Sequence, residues 1–209
     1  MTVKNTAGAR PGTATNTKGK VRVNEILEVA AGILVNEGYG EFTMRKIAAK
    51  ANMKHGNLQY YFPSKQALLV AMLEAEMSRY QTSMANRVTG RKSTAKQRLI
   101  FAVDYILKDQ KNRRSCALFW ELWALSSHEP EVQAVMNEFY DAYLDGLSDL
   151  FVEINPALSK ATALKTGVLA VSLLEGLSLF RGHNRPDRTY MRGIETRIRA
   201  HILALIETP

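Results

Sequence analysis

Arg45, His55 and Asn57 are the side chains in this chain best suited to reading a base pair. A guanidinium can donate two parallel hydrogen bonds to guanine, and a carboxamide can make a matched pair with adenine. Gly56 lies between His55 and Asn57 and has no side chain, which lets the backbone approach a groove closely. The residues around these four decide how they are presented. Thr43 can cap a first short helix, on which Ile47, Ala48 and Ala51 place small and apolar groups on one face. Asn52 follows, and Asn tolerates the left-handed backbone that ends such a helix. A second short helix, polar and aromatic, runs from His55 with Leu58 and Phe62 as its core anchors. Pro63-Ser64 ends it, and Ser64 can cap a longer helix that starts at Lys65. Helix, tight turn and helix over residues 42–69 form a device that places a short helix in the DNA major groove.

Charge supports that chemistry. The chain has 209 residues and a formal net charge of +8. Residues 1–65 hold ten Lys/Arg and four Asp/Glu, so most of the excess lies beside the helix-turn-helix. Basic charge concentrated there is the footprint of a phosphate-backbone binder. Residues 1–20 show no hydrophobic period and are expected to form a flexible basic arm, with Lys4, Arg10, Lys18 and Lys20 able to touch phosphates. The same segment lacks the apolar core of a signal peptide. Gly167 to Phe180, the most apolar stretch, is interrupted by Glu175 and reads as too short to span a bilayer. A cytoplasmic protein with no membrane partner is expected.

The rest of the chain must position these residues, and it reads as all-α. Val23, Ile26, Leu27, Ala30 and Leu34 mark one helical face. The helix from Lys65 carries Leu69, Leu73, Met77, Tyr80 and Met84. Leu99, Val103, Ile106 and Leu107 mark another, after which Ser115 could cap a helix bearing Leu118, Phe119, Leu122 and Trp123. Pro130 suits the first turn of the next, which runs through Phe139, Tyr143 and Leu147. A helix over about 157–180 is apolar nearly all round in its second half, so it should be buried on more than one side. The stripe Ile194, Ile198, Ile202 and Leu205 closes the chain. About nine helices are expected: three in a DNA-binding domain over 21–66, the connecting helix from Lys65, and five more in a ligand-binding and dimerisation domain over 67–209.

The motif also resembles the tetracycline-repressor (TetR) family of bacterial transcription regulators. The resemblance rests on Thr43, Ile47-Ala48, Ala51, Gly56-Asn57-Leu58, Tyr60-Tyr61-Phe62, Lys65 and Leu68-Leu69. It covers about residues 21–70 tightly, and the remainder in helix count and order. It implies a ligand-responsive, sequence-specific DNA-binding regulator, a repressor released by a small molecule. It also implies that Thr43, Gln59, Tyr60, Tyr61 and Lys65 occupy positions that commonly contact phosphates. Asn52 stands where the family usually has Gly. Lys54 stands where it usually has a capping Ser or Thr. A cation there opposes the helix dipole by roughly 0.3–1 kcal/mol. Such broken local rules concentrate at functional sites, so Lys54 joins the candidate phosphate contacts.

Aromatic residues gather beyond the motif, more than one core stripe needs. Phe101, Tyr105, Trp120, Trp123, Phe139 and Tyr143, with Met72, Met77 and Leu173, are the candidate lining of a pocket for an apolar or cationic molecule. The segment from Ala117-Leu118-Phe119-Trp120 to His128 is loosely similar to the ligand domain of the betaine-regulator (BetI) branch of the family, which is linked to choline-type compounds. A ligand can shift DNA affinity only by binding one conformation better than another. Glu175, alone inside Leu173-Leu174-Glu175-Gly176-Leu177, needs a partner: Arg181, Arg185, a dimer axis or the ligand. One recognition helix reads few base pairs, so a homodimer on palindromic double-stranded DNA is expected. The surplus apolar surface of Gly167, Val171, Leu174, Ile194, Ile198, Ile202 and Leu205 is the candidate four-helix interface, as the resemblance implies.

Enzyme chemistry finds little support. His55, His128, His183 and His201 show no metal-ligand spacing, and neither a Gly-rich phosphate loop nor a nucleophile elbow occurs. Cys116 is the only cysteine, which excludes an intrachain disulfide framework. No metal and no cofactor are expected. The rival reading is a non-enzymatic helical adaptor that uses its basic N-terminal region on a membrane or an acidic partner. Salt-dependent, sequence-preferring binding to duplex DNA separates the two.

Overall fold

The computed structural model describes residues 17–89 and 93–207. Among them are nine α-helices and two short 3-10 turns, with no strand: α1 (Thr17–Glu37), α2 (Met44–Lys50), α3 (His55–Tyr61), α4 (Lys65–Thr89), α5 (Ala95–Asp109), α6 (Arg113–Ser126), α7 (Pro130–Ile154), α8 (Lys160–Arg181) and α9 (Ile194–Glu207). The 3-10 turns are Tyr39–Glu41 and Thr189–Met191. Most of the expected arm, with Lys4 and Arg10, lies outside the described residues. Lys18 and Lys20 instead belong to α1, which starts six residues before the apolar period at Val23.

Caps explain most of the boundaries. Thr43 is the N-cap of α2, its hydroxyl accepting from the Lys46 backbone N–H at 3.3 Å. Ser64 Oγ accepts from the Ala67 N–H at 3.0 Å and starts α4. Thr94 and Gln97 form a reciprocal capping box on α5. Ser159 caps α8, three residues inside the expected start. The cap of α6 is Asn112 rather than Ser115: Asn112 Oδ1 accepts from the backbone N–H groups of Arg114 and Ser115, so the helix begins at Arg113. Ser115 instead donates its hydroxyl to Asp109.

The chain forms two compact units. The first comprises the residues up to Arg79 together with Ala117–Met136. Its core is Ile26, Leu34, Phe42, Ile47, Leu58, Leu68, Leu69 and Met72, all fully buried. Here α1 packs on α2, and α2 on α3. Segment 117–136 joins this unit, although the sequence suggested a simple division after residue 66. Polar links account for part of that: the Tyr39 hydroxyl donates to Glu129 at 2.9 Å, and Gln66 Nε2 donates to Glu131 at 2.9 Å.

The second unit comprises Tyr80–Cys116 and the residues from Asn137 onward. Here α5, α8 and α9 pack together around Leu99, Val103, Phe151, Ala163, Ala170, Leu174, Ile202 and Ile206. The helix α8 extends well beyond the apolar stretch 167–180. By length and composition alone its 22 residues could cross a membrane, although nearly half of its apolar window is buried in the protein. Its buried side, Ala163, Thr166, Gly167, Ala170, Val171, Leu174, Leu177 and Ser178, faces the chain's own core.

Candidate DNA-reading face and effector site

The turn between α2 and α3 is built from the residues the sequence marked. Asn52 adopts φ +49°, the left-handed conformation expected of it. Leu58 and Phe62 pin α3 to the core, so its other faces are set outward. His55, Gly56 and Asn57 form the first turn of α3, and all three are exposed. Arg45, Lys54, Gln59 and Tyr60 are exposed as well, and Tyr61 is half-buried. The Tyr60 and Tyr61 rings meet edge to face at 5.6 Å. Lys54 occupies the N-cap position of α3 with an extended backbone and no side-chain cap. Among the described residues, Arg45 and Lys54 enter no ion pair, whereas Lys46 and Lys50 are held by Glu37. These two lysines hold the Glu37 carboxyl below the usual carboxylate range, Lys46 first. Arg45, Lys54 and the first turn of α3 are thus exposed together.

Two positions make contacts that the sequence does not reveal. Lys65 is half-buried with its Nζ 3.7 Å from the centre of the Tyr39 ring, a cation–π contact. Burial first, and then the hydrogen bond to Glu129, push the Tyr39 phenol up to about 12, so the ring keeps its proton. Arg22, on α1, was not singled out. Its Nη2 donates to the Ala51 carbonyl at 2.7 Å, tying α1 to the end of α2. With Asn52, Met53, Asn57, Tyr60 and Tyr61 it lines a cavity of about 310 Å³ beside α3. No periodicity marks Arg22; only its contact across the turn shows it.

The aromatic candidates are divided between the units. Met72, Met77, Trp120 and Trp123 belong to the first, where both methionines are buried and Phe119 and Trp123 lie 6.3 Å apart. Phe101, Tyr105, Phe139 and Tyr143 belong to the second. There Tyr80 meets Tyr105 at 5.5 Å and Phe139 at 6.0 Å, and Phe139 meets Tyr143 at 6.4 Å. Glu175 joins this group. Burial first, and then the Asp109 carboxylate, raise its pKa to about 7. Burial also pushes the Tyr80 and Tyr143 phenols up, with the charge of Glu175 adding to both. The sequence reading offered Arg181 as a partner for Glu175, but Arg181 pairs with Glu195 at 2.9 Å.

The interface candidates need correction. Gly167, Val171, Leu174, Ile198 and Ile202 are buried within the single chain. A Cβ on Gly167 would meet Leu144 at 3.4 Å, so its close approach is to α7 of the same chain. Ile194 is half-buried against the same core, and Leu205 is half-buried. Leu173, a candidate pocket residue, is 36% exposed on the outer side of α8. That outer side carries Val168, Leu169, Leu173, Leu179 and Phe180, all large, apolar and exposed. A helix apolar all round has no periodicity to show which side its own chain covers.

Residues 26–72 match the bacterial regulatory proteins of the tetR family. Residues 95–207, more than half of the chain, match the C-terminal domain of BetI-type transcriptional repressors. The chain belongs to the TetR family. An HTH-type transcriptional regulator from the dhlA 5′ region of Xanthobacter autotrophicus is 30% identical over 78% of this chain and 80% of its own length. A transcriptional regulator from Pseudomonas aeruginosa superposes with a TM-score of 0.76, covering 96% of this chain and 95% of its own at 16% identity. A regulator from Saccharomonospora viridis, solved in complex with choline, superposes with a TM-score of 0.68, covering 90% and 97% at 18% identity. This TetR-family chain is thus a ligand-responsive DNA-binding transcription regulator and not an enzyme. Regulators of this family bind DNA and small-molecule effectors and act as dimers.

Proposed function

We propose that this regulator is a cytoplasmic homodimeric repressor that reads a palindromic operator and is released by a cationic, choline-like effector. The observation that carries the DNA half is the exposed first turn of α3, anchored from behind by Leu58 and Phe62. Arg45, His55, Gly56 and Asn57 make the base contacts, and Thr43, Lys54, Gln59, Tyr60 and Tyr61 hold phosphates. Lys65 reaches a phosphate once it leaves the Tyr39 ring. The observation that supports the effector half is a half-buried carboxylate, Glu175, set against Tyr80 and Tyr143 in the aromatic group of the second unit. Ring faces and a carboxylate together suit a quaternary ammonium. The BetI-type match and the choline complex of the Saccharomonospora relative point the same way.

Anisotropy titrations on duplexes flanking the regulator's own gene test the reading. Asn57→Ala or Arg45→Ala should cost about 1–3 kcal/mol on the preferred site and relax the base preference. Lys65→Ala should weaken all sequences alike and flatten the salt slope by about one unit. Equal affinity of the unaltered protein for unrelated duplexes at physiological salt would refute it.

Gly56 gives a cleaner test. A Cβ built there meets nothing within 4 Å, and its φ is not positive. Gly56→Ala should therefore leave the free protein as stable or up to about 1 kcal/mol more stable, since Ala favours helix. Operator affinity should nevertheless fall at least tenfold, because the added methyl meets the groove. Unchanged affinity would show that the backbone of α3 stays clear of DNA.

A further inference from the structure

The loop between α8 and α9 encloses a recess of about 350 Å³ that neither the DNA face nor the aromatic site uses. It lies wholly within the second unit. Five cations line it: Lys111, Arg181, Arg185, Arg188 and Arg192. Asp187 and Glu195 are the acids present, so the walls carry an excess of positive charge. Gly193, Ile194 and Glu195 bring the N-terminal turn of the 14-residue α9 to the same recess, and orphan backbone N–H groups at such an end attract anions.

Arg181 supplies the second, independent observation. It ends α8, and its side chain is only 8% exposed. Its Nη2 donates to Glu195, but its Nη1 is buried with no hydrogen-bond acceptor. A guanidinium has five N–H donors and no acceptor, so it is satisfied by two acidic groups more readily than by one. Glu195 is already engaged by its own backbone N–H, by Arg181 and by Lys111, whose Nζ lies 3.8 Å away. Arg181, which lines the recess, is thus short of one acceptor, and the lining as a whole is rich in cations.

We propose that this recess binds a small oxyanion, a phosphate- or carboxylate-bearing molecule, at a site separate from both the operator and the aromatic cluster. One oxygen of the ligand takes the position beside the Arg181 guanidinium. Arg188 and Arg192, both exposed on the loop, close over the others. Phe180 lines the recess and also belongs to the exposed apolar side of α8, so occupancy is placed where it can be felt by whatever covers that helix.

Calorimetric titration of the full-length protein with inorganic pyrophosphate, and separately with citrate, tests this at constant ionic strength set with KCl. The unaltered chain should bind one anion per chain saturably. The double variant Arg188→Ala/Arg192→Ala alters only exposed loop residues and should weaken binding at least tenfold. Arg181→Met should weaken it further, with thermal unfolding of each variant confirming the fold. Lys65→Ala should leave it unchanged, which separates this site from the basic DNA face. Saturation by pyrophosphate alone identifies a phosphate site, by citrate alone a carboxylate site, and by both a general oxyanion site. Titrations matching KCl alone, or full affinity in the Arg188/Arg192 variant, would overturn the proposal.

Discussion

Leu169→Glu is expected to leave the chain folded and monomeric, and to reduce operator affinity at least a hundredfold. Leu169 is 55% exposed and Phe180 62%, and with Val168, Leu173 and Leu179 they share the outer side of α8. Exposed apolar surface on this scale marks an interaction site. If a second copy covers it, an introduced carboxylate is buried without a partner and costs several kcal/mol, enough to dissociate a micromolar dimer. Half-sites lie about 34–36 Å apart, so only a dimer engages both at once. The monomer keeps one half-site and loses the gain from linking two. Because Leu169 makes little contact within its own chain, thermal stability should hardly change. Leu174→Glu is the contrast: Leu174 is buried in the chain's own core, so that change should unfold the second unit. Sedimentation showing an undisturbed Leu169→Glu dimer would place the interface elsewhere.

How far the sequence revealed the fold follows from which signals were local. The first unit was legible because caps, turn and anchors lie within a few residues of each other. Thr43, Asn52, Leu58, Phe62 and Ser64 all take the positions their chemistry predicts. Helix number and type beyond α4 were legible too, because five further amphipathic or apolar periods are separated by polar turns. What was not legible is what depends on contact across the chain. Arg22 acts on the carbonyl of Ala51, 29 residues on. Lys65 rests on the ring of Tyr39, and Arg181 on Glu195. The stripe Val171, Leu174, Ile198 and Ile202 was rightly recognised as apolar, but its side could not be assigned. Residues one position away, such as Leu173, take the outer surface instead. The candidate pocket residues share a chemical type, and type does not show that Trp120 and Phe139 fall in different units.

Glu175 carries the other large effect, and its sign can be worked out. An unfolded carboxyl titrates at its ordinary value of 4.5, whereas in the folded chain burial and Asp109 raise it to about 7. The folded state therefore binds the proton more tightly. Its contribution to stability is fully present below about pH 4.5 and is lost as pH rises to about 7. A shift of that size corresponds to roughly 3 kcal/mol. Glu175→Gln should abolish this slope, raising stability at pH 8 while changing little at pH 4. Tyr80 and Tyr143, the other titratable groups set against Glu175, have phenols raised above 10 and stay neutral throughout. The Asp109 carboxylate adds to the rise of Glu175, and a bound cation would offset its charge too. A quaternary ammonium favours the ionised carboxylate, so choline affinity should climb several-fold between pH 5.5 and 7.5 and then level off. The climb should be lost in Glu175→Gln, along with at least tenfold in affinity at pH 7.5. Choline-dependent release of the operator should follow the same profile, since the effector acts through the state it binds better. Calorimetry at four pH values checks both variants. A choline affinity that is flat across the range in the unaltered protein, or equal in Glu175→Gln, would remove the carboxylate from the effector site and leave the rings to an uncharged ligand.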